Sequence, residues 1–347
     1  MFMKHHSFSA MLAYRRDLAR FSILNDGWLA RAGSALIVGS SGCGKSKVKD
    51  WLVCGITSGR PFCGIKPTRA FKVLSIQAED TDEDVAESYQ GYAQHELDGD
   101  TDAVALIDRN LVALTLIGLD GYEFIEEIDR LCEEHKPDVL VIDPILSYIG
   151  CDVVDQKGVT TFLRKWLLPV MIKHGCAVIA VHHSPKGARN TALIDRAIGS
   201  MEFGAFFRGV LDLSYVEGRP NELTLAIAKR QRQMGWTDPY GRPTNEKFLV
   251  KGTEGVSLLE VSGFEPGAKK VGGRPSKADK SKVADAIKSA QATGMPKDEV
   301  VAQVAKEFGY STKQAQRHVK AAGAEPEPKK QSEMTIEELE ADLGLKP

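Results

Sequence analysis

Short apolar runs alternate along the first half of the chain with segments whose apolar residues recur at helical spacing. Continuously apolar runs are typical of strands buried on both faces of a sheet, whereas apolar residues three and four positions apart mark one face of a helix. The predicted strands are residues 34–39, 71–77, 111–117, 139–143 and 177–182. The predicted helices are residues 46–58, 121–135 and 159–174, and one that begins near Asp82. This alternation predicts an α/β fold with a mostly parallel sheet.

The pattern changes after this βα region. Strand-like runs then follow one another through short turns, at residues 209–215, 222–228, 246–250 and 256–261. Consecutive strands without helices between them favour an antiparallel extension at one edge of the sheet. Near the start of the chain, apolar residues in 11–24 have roughly helical spacing, so we expect residues 1–30 to form an N-terminal helical segment and residues 31–265 to form the main domain.

The C-terminal part of the chain differs in composition. Residues 266–280 are rich in Gly, Pro and Lys and are predicted to be a flexible linker, and residues 281–323 are predicted to form three short helices. From position 269 to 320 there are twelve Lys and Arg against five Asp and Glu, a net charge of +7. Residues 324–347 carry a net charge of −4 and are predicted to be a disordered acidic tail. The basic block indicates a polyanion as its partner, and the tail indicates a protein partner.

The composition indicates the cellular compartment in which we expect the protein to be found. The six cysteines of this 347-residue chain are scattered, with no paired spacing typical of a zinc site. No apolar run approaches the roughly 18 residues of a membrane helix, and the first ten residues are too polar for a signal peptide. We therefore expect a cytoplasmic protein with reduced thiols and no membrane contact.

A phosphate-binding loop is predicted between the first strand of the main domain and the helix that follows it. The sequence GSSGCGKS satisfies the pattern G-x-x-x-x-G-K-[ST]. Glycines allow the backbone amides to surround phosphates at the helix N-terminus, the lysine reaches the β- and γ-phosphates, and the serine hydroxyl is a Mg²⁺ ligand. The predicted ATP- and Mg²⁺-binding residues are Gly39, Ser40, Ser41, Gly42, Cys43, Gly44, Lys45 and Ser46.

Acidic and histidine residues end three of the predicted strands. Asp143 follows the apolar run VLVI, the usual place of a Walker B carboxylate that holds Mg²⁺. Glu79 follows the strand that we expect beside the phosphate-loop strand, and it is predicted to polarise the attacking water, whereas Asp80 is the better helix cap. His182 and His183 end a third strand and are predicted to face the γ-phosphate. A packed or solvated histidine is the alternative for each.

Taken in order, five segments of the chain resemble a known family. They read DGWLARAGSALIVGSSGCGKS, SGRPFCG, VLSIQAED, PDVLVIDP and VHH, and the similarity extends over roughly residues 26–264. The pattern is similar to the RepA-type branch of RecA-like ATPases, which contains plasmid replicative helicases and phage ATPases. This resemblance implies a RecA-like P-loop fold, assembly into a ring or filament, with a hexamer favoured, and ATP sites at subunit interfaces.

The resemblance also implies cationic fingers that one subunit extends to its neighbour's ATP. Gly199 and Ser200, followed by Arg208, resemble a segment of the family that precedes such an arginine. This chain has Ala197 and Ile198 before that segment, where the family usually has arginine and glycine. A later basic cluster gives three more candidates for contact with the neighbour's nucleotide, which are Lys229, Arg230 and Arg232. Plain surface charge is the alternative for all four.

A helix-turn-helix is predicted in the basic block. Ala305, Gly309 and Ser311 have the spacing in which alanine permits close packing, glycine makes the turn and serine caps the second helix. The residues predicted to contact DNA from that helix are Lys313, Gln314, Gln316, Arg317 and Lys320. Arg274 lies in a segment similar to a minor-groove hook, although the hook's first arginine is missing. A helical protein-interaction domain with a solvated basic face remains the alternative.

These expectations combine into an ATP-driven motor or switch that acts on DNA. A hexameric replicative helicase of a mobile element agrees best with the resemblance. Two other hypotheses remain open: a RecA-like ATPase that is not a helicase, such as a recombination mediator or loader, and a sequence-specific DNA-binding regulator gated by ATP.

Overall fold

In the computed structural model the chain forms two compact units, residues 1–268 and 269–347. The larger unit begins with two short helices and then a two-stranded antiparallel ribbon. The residues that the structure describes are 7–14, 17–183, 201–216, 218–252, 258–260, 283, 286–290, 292–293, 295–308, 315–316 and 319–320.

Eleven strands lie within the described residues, and nine of them form one sheet. The ribbon consists of β1 (Ser22–Leu24) and β2 (Leu29–Ala30). The sheet contains β3 (Ser34–Gly39), β4 (Val73–Gln77), β5 (Leu111–Thr115), β6 (Val139–Asp143), β7 (Ala177–His183), β8 (Gly209–Val216), β9 (Arg219–Lys229), β10 (Glu246–Lys251) and β11 (Leu258–Glu260). Their spatial order is β5-β4-β6-β7-β3-β8-β9-β10-β11.

The direction of the strands confirms the fold class predicted from the sequence. The six strands from β5 to β8 run parallel, and β9, β10 and β11 add to β8 in antiparallel fashion. This is an α/β fold that matches a RecA-like P-loop core. Parallel strands place all their carboxyl ends at one edge of the sheet, and that edge is where ligands bind in open α/β folds.

Both faces of the sheet are covered, which explains the uninterrupted apolar runs. In β3, Ile37 packs into the core on one face, and Leu36 and Val38 pack into the core on the other. The same alternation holds in β6, where Val141 and Ile142 belong to opposite cores. Because neighbouring side chains on a strand point to opposite faces, a strand buried on both faces needs apolar residues at every position.

The helices follow the predicted order, with some differences. The described α-helices are α1 (Phe8–Ala13), α2 (Leu18–Phe21), α3 (Lys45–Ser58), α4 (Asp82–Tyr92), α5 (Thr101–Asn110), α6 (Gly121–His135), α7 (Gln156–Thr160), α8 (Leu168–His174), α9 (Met201–Phe206), α10 (Gln231–Met234) and α11 (Lys297–Phe308). Helix α5 was not predicted, and Ala103 is its only buried residue. The predicted helix 159–174 begins at Gln156 and contains a π-helical segment, Thr161–Leu167.

The N-terminal prediction is wrong in part, because residues 11–24 do not form one helix. Helix α1 ends at Ala13, and Ser22 starts a strand. Asn25 and Gly27 have positive φ, so the chain turns back there and a helix does not continue. Leu24 pairs with Leu29 across this turn, and both side chains are fully buried in the core of the larger unit.

The cap of α4 also differs from the prediction. Thr81 is the N-cap: its hydroxyl accepts a hydrogen bond from the Asp84 amide, and the Asp84 carboxylate accepts one from the Thr81 amide. This reciprocal capping box satisfies two amides that a helix start leaves free. Asp80, the predicted cap, instead donates its amide to the Gln77 side chain.

The smaller unit has its own apolar core. Helix α11 contributes Val300, Val301 and Val304 to that core, and Ala315 and Val319 pack against them. The predicted turn of the helix-turn-helix, at Gly309 and Ser311, lies outside the described residues. Across the described part of the chain, the structure contains no helix long and apolar enough to cross a membrane.

Candidate nucleotide-binding site

The phosphate loop joins β3 to α3 at the carboxyl edge of the sheet. Gly39 ends β3 so close to the Leu213 carbonyl of β8 that a Cβ atom there would collide with it. Gly42 and Gly44 have φ of 75° and 89°, which few other residues tolerate. Gly44 is the N-cap of α3 and has no side chain, so the N-cap residue makes no side-chain hydrogen bond to the helix amides. This is the geometry of an anion site at a helix N-terminus.

Lys45 is held inside this loop. Its side chain is buried, and its Nζ donates to the Ser40 carbonyl at 2.8 Å. Burial lowers the pKa of Lys45, and the negative charges of Asp143 and Glu79 oppose that shift. These two carboxylates therefore lie within electrostatic reach of the loop lysine, as the sequence predicts.

Asp143 ends β6 as a buried carboxylate. Its Oδ2 atom has no hydrogen bond but lies 3.3 Å from Nζ of Lys49, which also lies 2.6 Å from Oδ1 of Asp50. Burial alone lowers the pKa of Lys49, but Asp50 and Asp143 reverse this and raise it, so the ammonium stays charged. Lys49 was not identified from the sequence, although its place four residues after Lys45 puts both on one side of α3.

The position of Glu79 follows from a strand order that differs from the prediction. Strand β4 is not beside β3, because β7 and β6 lie between them. Glu79 nevertheless reaches the site: Ser147 Oγ donates to its Oε1 at 3.5 Å, and its charge acts on Lys45 and His183. The carboxyl ends of parallel strands converge at one edge, so adjacency to β3 is not needed.

Asp80 and Glu79 face different groups. Burial raises the pKa of Asp80, and the neighbouring charge of Asp143 raises it further. The charges of Asp143 and Lys49 act on Asp80, whereas Glu79 is exposed and its charge acts on Lys45 of the phosphate loop. This geometry favours Glu79 over Asp80 as a group that meets a water molecule at the γ-phosphate.

The residues at the loop fit Mg²⁺ and a nucleotide polyphosphate. Ser46, in the first turn of α3, has a hydroxyl, and the buried carboxylate of Asp143 has an oxygen without a hydrogen bond. Magnesium prefers such oxygen ligands and takes few of them from the protein. The N-terminus of α3, where the N-cap Gly44 has no side chain, suits phosphate oxygens in the same place.

The two histidines do not form the pair that the sequence predicts. Successive residues of β7 point to opposite faces, so His182 and His183 diverge. His182 is buried and stacks on Phe203 with ring centroids 4.7 Å apart, and burial lowers its pKa to about 4. His183 is half-buried and senses the charges of Lys45 and Glu79. The charge of Lys45 acts on both rings, and His183 is the one opposite Gly39, where the phosphate loop begins.

Arg208 lies at the opposite end of the sheet from the phosphate loop. Its amide donates to the Ser34 carbonyl at the amino end of β3, whereas the loop follows the carboxyl end of that strand. The Arg208 side chain is exposed. Within one chain it lies too far from the phosphate loop to reach the nucleotide, and its implied role across a subunit interface stays a prediction. Gly199 and Ser200 lie outside the described residues.

Two of the three residues in the later basic cluster form hydrogen bonds within their own chain. Lys229 donates to the carbonyls of Gly204 and Phe207, and burial lowers its pKa. Arg230 Nη1 donates to the Gly27 and Trp28 carbonyls, both at 3.1 Å. Arg232 is exposed. Lys229 and Arg230 therefore join the antiparallel strands to the ribbon and to α9.

Few of the predicted DNA-contacting residues lie in the described part of the chain. Gln316 and Lys320 are exposed, while Ala315 and Val319 beside them are buried. The remaining candidates lie outside the described residues: Arg274, Lys313, Gln314 and Arg317.

Comparison with known proteins identifies a family model that matches this chain. A family model described as an AAA domain matches residues 10–189, slightly more than half of the chain. Among solved structures, a KaiC-like protein from the hyperthermophilic archaeon Pyrococcus horikoshii is similar at 13% identity, over 71% of this chain and 99% of that chain, with a TM-score of 0.45. No curated protein matches this chain.

Proposed function

The chain belongs to the AAA domain family, and from this premise we propose that it is a Mg²⁺-dependent ATPase whose hydrolysis drives or gates an action on DNA. The observation that carries the proposal is the convergence of Lys45, Asp143 and Glu79 on a glycine-rich loop at the N-terminus of α3. A structural lysine would face solvent or one carboxylate; Lys45 is buried in a glycine-rich loop with two carboxylates nearby.

We assign each residue of the site a separate role in phosphoryl transfer. The loop amides and Lys45 would hold the β- and γ-phosphates, and Ser46 and Asp143 would hold Mg²⁺. When bound, Mg²⁺ supplies charge that stabilises the transferred phosphoryl group. Glu79 orients the attacking water and accepts its proton, which contributes about 10²- to 10⁴-fold in rate. Lys49 holds the carboxylate of Asp143 in place beside α3.

We infer that the nucleotide-binding site lies at a subunit interface in a ring of identical subunits. Arg208 is exposed at the amino edge of the sheet, too far from the phosphate loop of its own chain to reach it. In a ring of identical subunits joined head to tail, two different surfaces of the chain meet, so a residue far from its own loop can lie at the loop of a neighbour. An arginine supplied in this way contributes about 10³- to 10⁵-fold to hydrolysis.

DNA is the proposed substrate of the smaller unit. The block from 269 to 320 has a net charge of +7, and the exposed Gln316 and Lys320 flank buried residues of its core. A basic face on a small helical unit binds phosphates by counterion release. The hexameric replicative helicase of a mobile element is the form that the RepA-like motifs favour. A non-helicase loader and an ATP-gated regulator are the other candidates.

One experiment separates these forms. The full-length protein is weighed by native mass spectrometry with ATP, with and without single-stranded DNA, and tested on a forked duplex. A helicase gives hexamers, DNA-stimulated hydrolysis and unwinding. A loader gives stimulation without unwinding, and a regulator gives tight duplex binding at one sequence with slow hydrolysis. Absence of ATP hydrolysis under all these conditions would contradict the proposed ATPase.

A further inference from the structure

Tyr215 contacts the phosphate loop from the neighbouring strand. Strand β8 runs parallel to β3 with Leu213 opposite Gly39, so the residues of β8 beyond Leu213 extend along the loop. The Tyr215 hydroxyl donates to the Gly42 carbonyl at 2.6 Å. Gly42 has positive φ and belongs to the turn that directs the loop amides inward. Tyr215 therefore fixes the outer side of that turn.

Lys251 brings a second ammonium group to the same place. It ends β10, two strands beyond β8, and its Nζ donates to the Tyr215 hydroxyl at 3.2 Å and lies 5.0 Å from the ring centroid. A Cβ atom placed on Gly44 would lie 4.0 Å from Cε of Lys251. The antiparallel strands thus supply a cation beside the centre of the loop.

The surroundings of Lys251 indicate an anionic ligand. An ordinary surface lysine pairs with a carboxylate or extends into water. In the described part of the chain Lys251 is half-buried, its hydrogen-bond partner is a phenol, and no carboxylate forms an ion pair with it. A half-buried ammonium beside a helix N-terminus adds to a site that already favours negative charge.

The sheet order indicates which phosphates Lys251 meets. Asp143 ends β6, on one side of β3, and Lys251 and Tyr215 lie on the other side, next to β8. The γ-phosphate belongs near Mg²⁺ and Glu79, on the β6 side. The rest of the polyphosphate then runs from the loop toward β8.

We propose that Lys251, positioned by Tyr215, binds the α- and β-phosphates of a nucleoside di- or triphosphate in the same chain as the phosphate loop. This inference rests on the proposed function and deepens it, because it adds a binding residue from the antiparallel extension. The same interaction links β8 and β10 to the nucleotide.

Binding of MgADP and MgATP to the full-length protein by titration calorimetry tests the proposal. Lys251→Met should weaken both by a similar factor of about 10, the size of a hydrogen bond to a charged group. Lys251→Arg should keep most of the affinity. Lys247→Met, a change on the same strand at a residue whose Nζ lies 3.5 Å from the Thr237 carbonyl, is the matched control and should bind as wild type.

A double-mutant cycle tests the role of Tyr215. Tyr215→Phe keeps the ring but removes the hydroxyl that bonds to Gly42 and Lys251, so its effect and that of Lys251→Met should be non-additive. Unchanged affinity of Lys251→Met for both nucleotides, or a loss confined to ATP, overturns the proposal while leaving the ATPase intact. Wild-type protein that binds neither nucleotide contradicts the proposed function itself. Thermal melting of each variant establishes that it is folded.

Discussion

Lys49 and Asp143 form a buried ion pair at the centre of the site, with Nζ 3.3 Å from Oδ2. Lys49 is only 2% exposed and also forms an ion pair with Asp50, so one ammonium group is paired with two carboxylates. The pair fixes the side chain at the end of β6 against the helix that begins at the phosphate loop. The carboxylate that we propose as a Mg²⁺ ligand is therefore oriented before any nucleotide binds.

Replacement of Lys49 should be strongly destabilising. Lys49→Met leaves the buried Asp50 and Asp143 without a cation, and breaking such a pair costs about 3–5 kcal/mol. Urea unfolding measures the loss. Asp50→Asn is the matched control, because it keeps the ion pair between Lys49 and Asp143 and should cost less. A Lys49→Met protein with a free energy of unfolding within about 1 kcal/mol of wild type would show that the pair is not needed for stability.

Glu79→Gln should separate nucleotide binding from hydrolysis. We expect ATP to bind normally and turnover to fall by about 10²- to 10⁴-fold, because glutamine cannot accept the proton of the attacking water. Asp80→Asn is the comparison, since that residue faces Asp143 and not the loop. A Glu79→Gln enzyme with weakened ATP binding and an unchanged rate would assign Glu79 a structural role.

Arg208→Ala should bind ATP at each subunit but lose turnover. Mixing it with Lys45→Ala protein should restore part of the activity, because some interfaces then combine an intact loop with an intact arginine. Arg242→Ala, another exposed arginine, should leave turnover unchanged. If the two inactive variants co-assemble and no mixing ratio restores activity, Arg208 does not act across the interface.

Arg317→Ala combined with Lys320→Ala should weaken duplex DNA binding without changing basal hydrolysis. The slope of log affinity against log salt should become shallower by about 0.9 for every DNA phosphate that the protein no longer neutralises. Lys66→Ala, an exposed lysine of the larger unit, should leave that slope unchanged. Equal affinity of the double variant and wild type at every salt concentration would assign the basic block to protein partners.

The sequence was informative wherever a local pattern has one structural meaning. The glycine spacing of the phosphate loop and the apolar runs of β3 and β6 predicted the loop, the strands and the place of Asp143. The order of the sheet was not predictable from neighbours in sequence, and β4 was wrongly placed beside β3. The roles of Lys49, Tyr215 and Lys251 depend on contacts between separate elements, and neither charge nor spacing reveals those contacts.

The most direct test of the account is steady-state ATP hydrolysis by wild type and Lys45→Ala with Mg²⁺ and with excess EDTA. The account predicts Mg²⁺-dependent turnover in wild type, none in wild type with EDTA, and none in Lys45→Ala, with unchanged circular dichroism. Near-normal turnover in Lys45→Ala would contradict the claim that this loop is the catalytic nucleotide site.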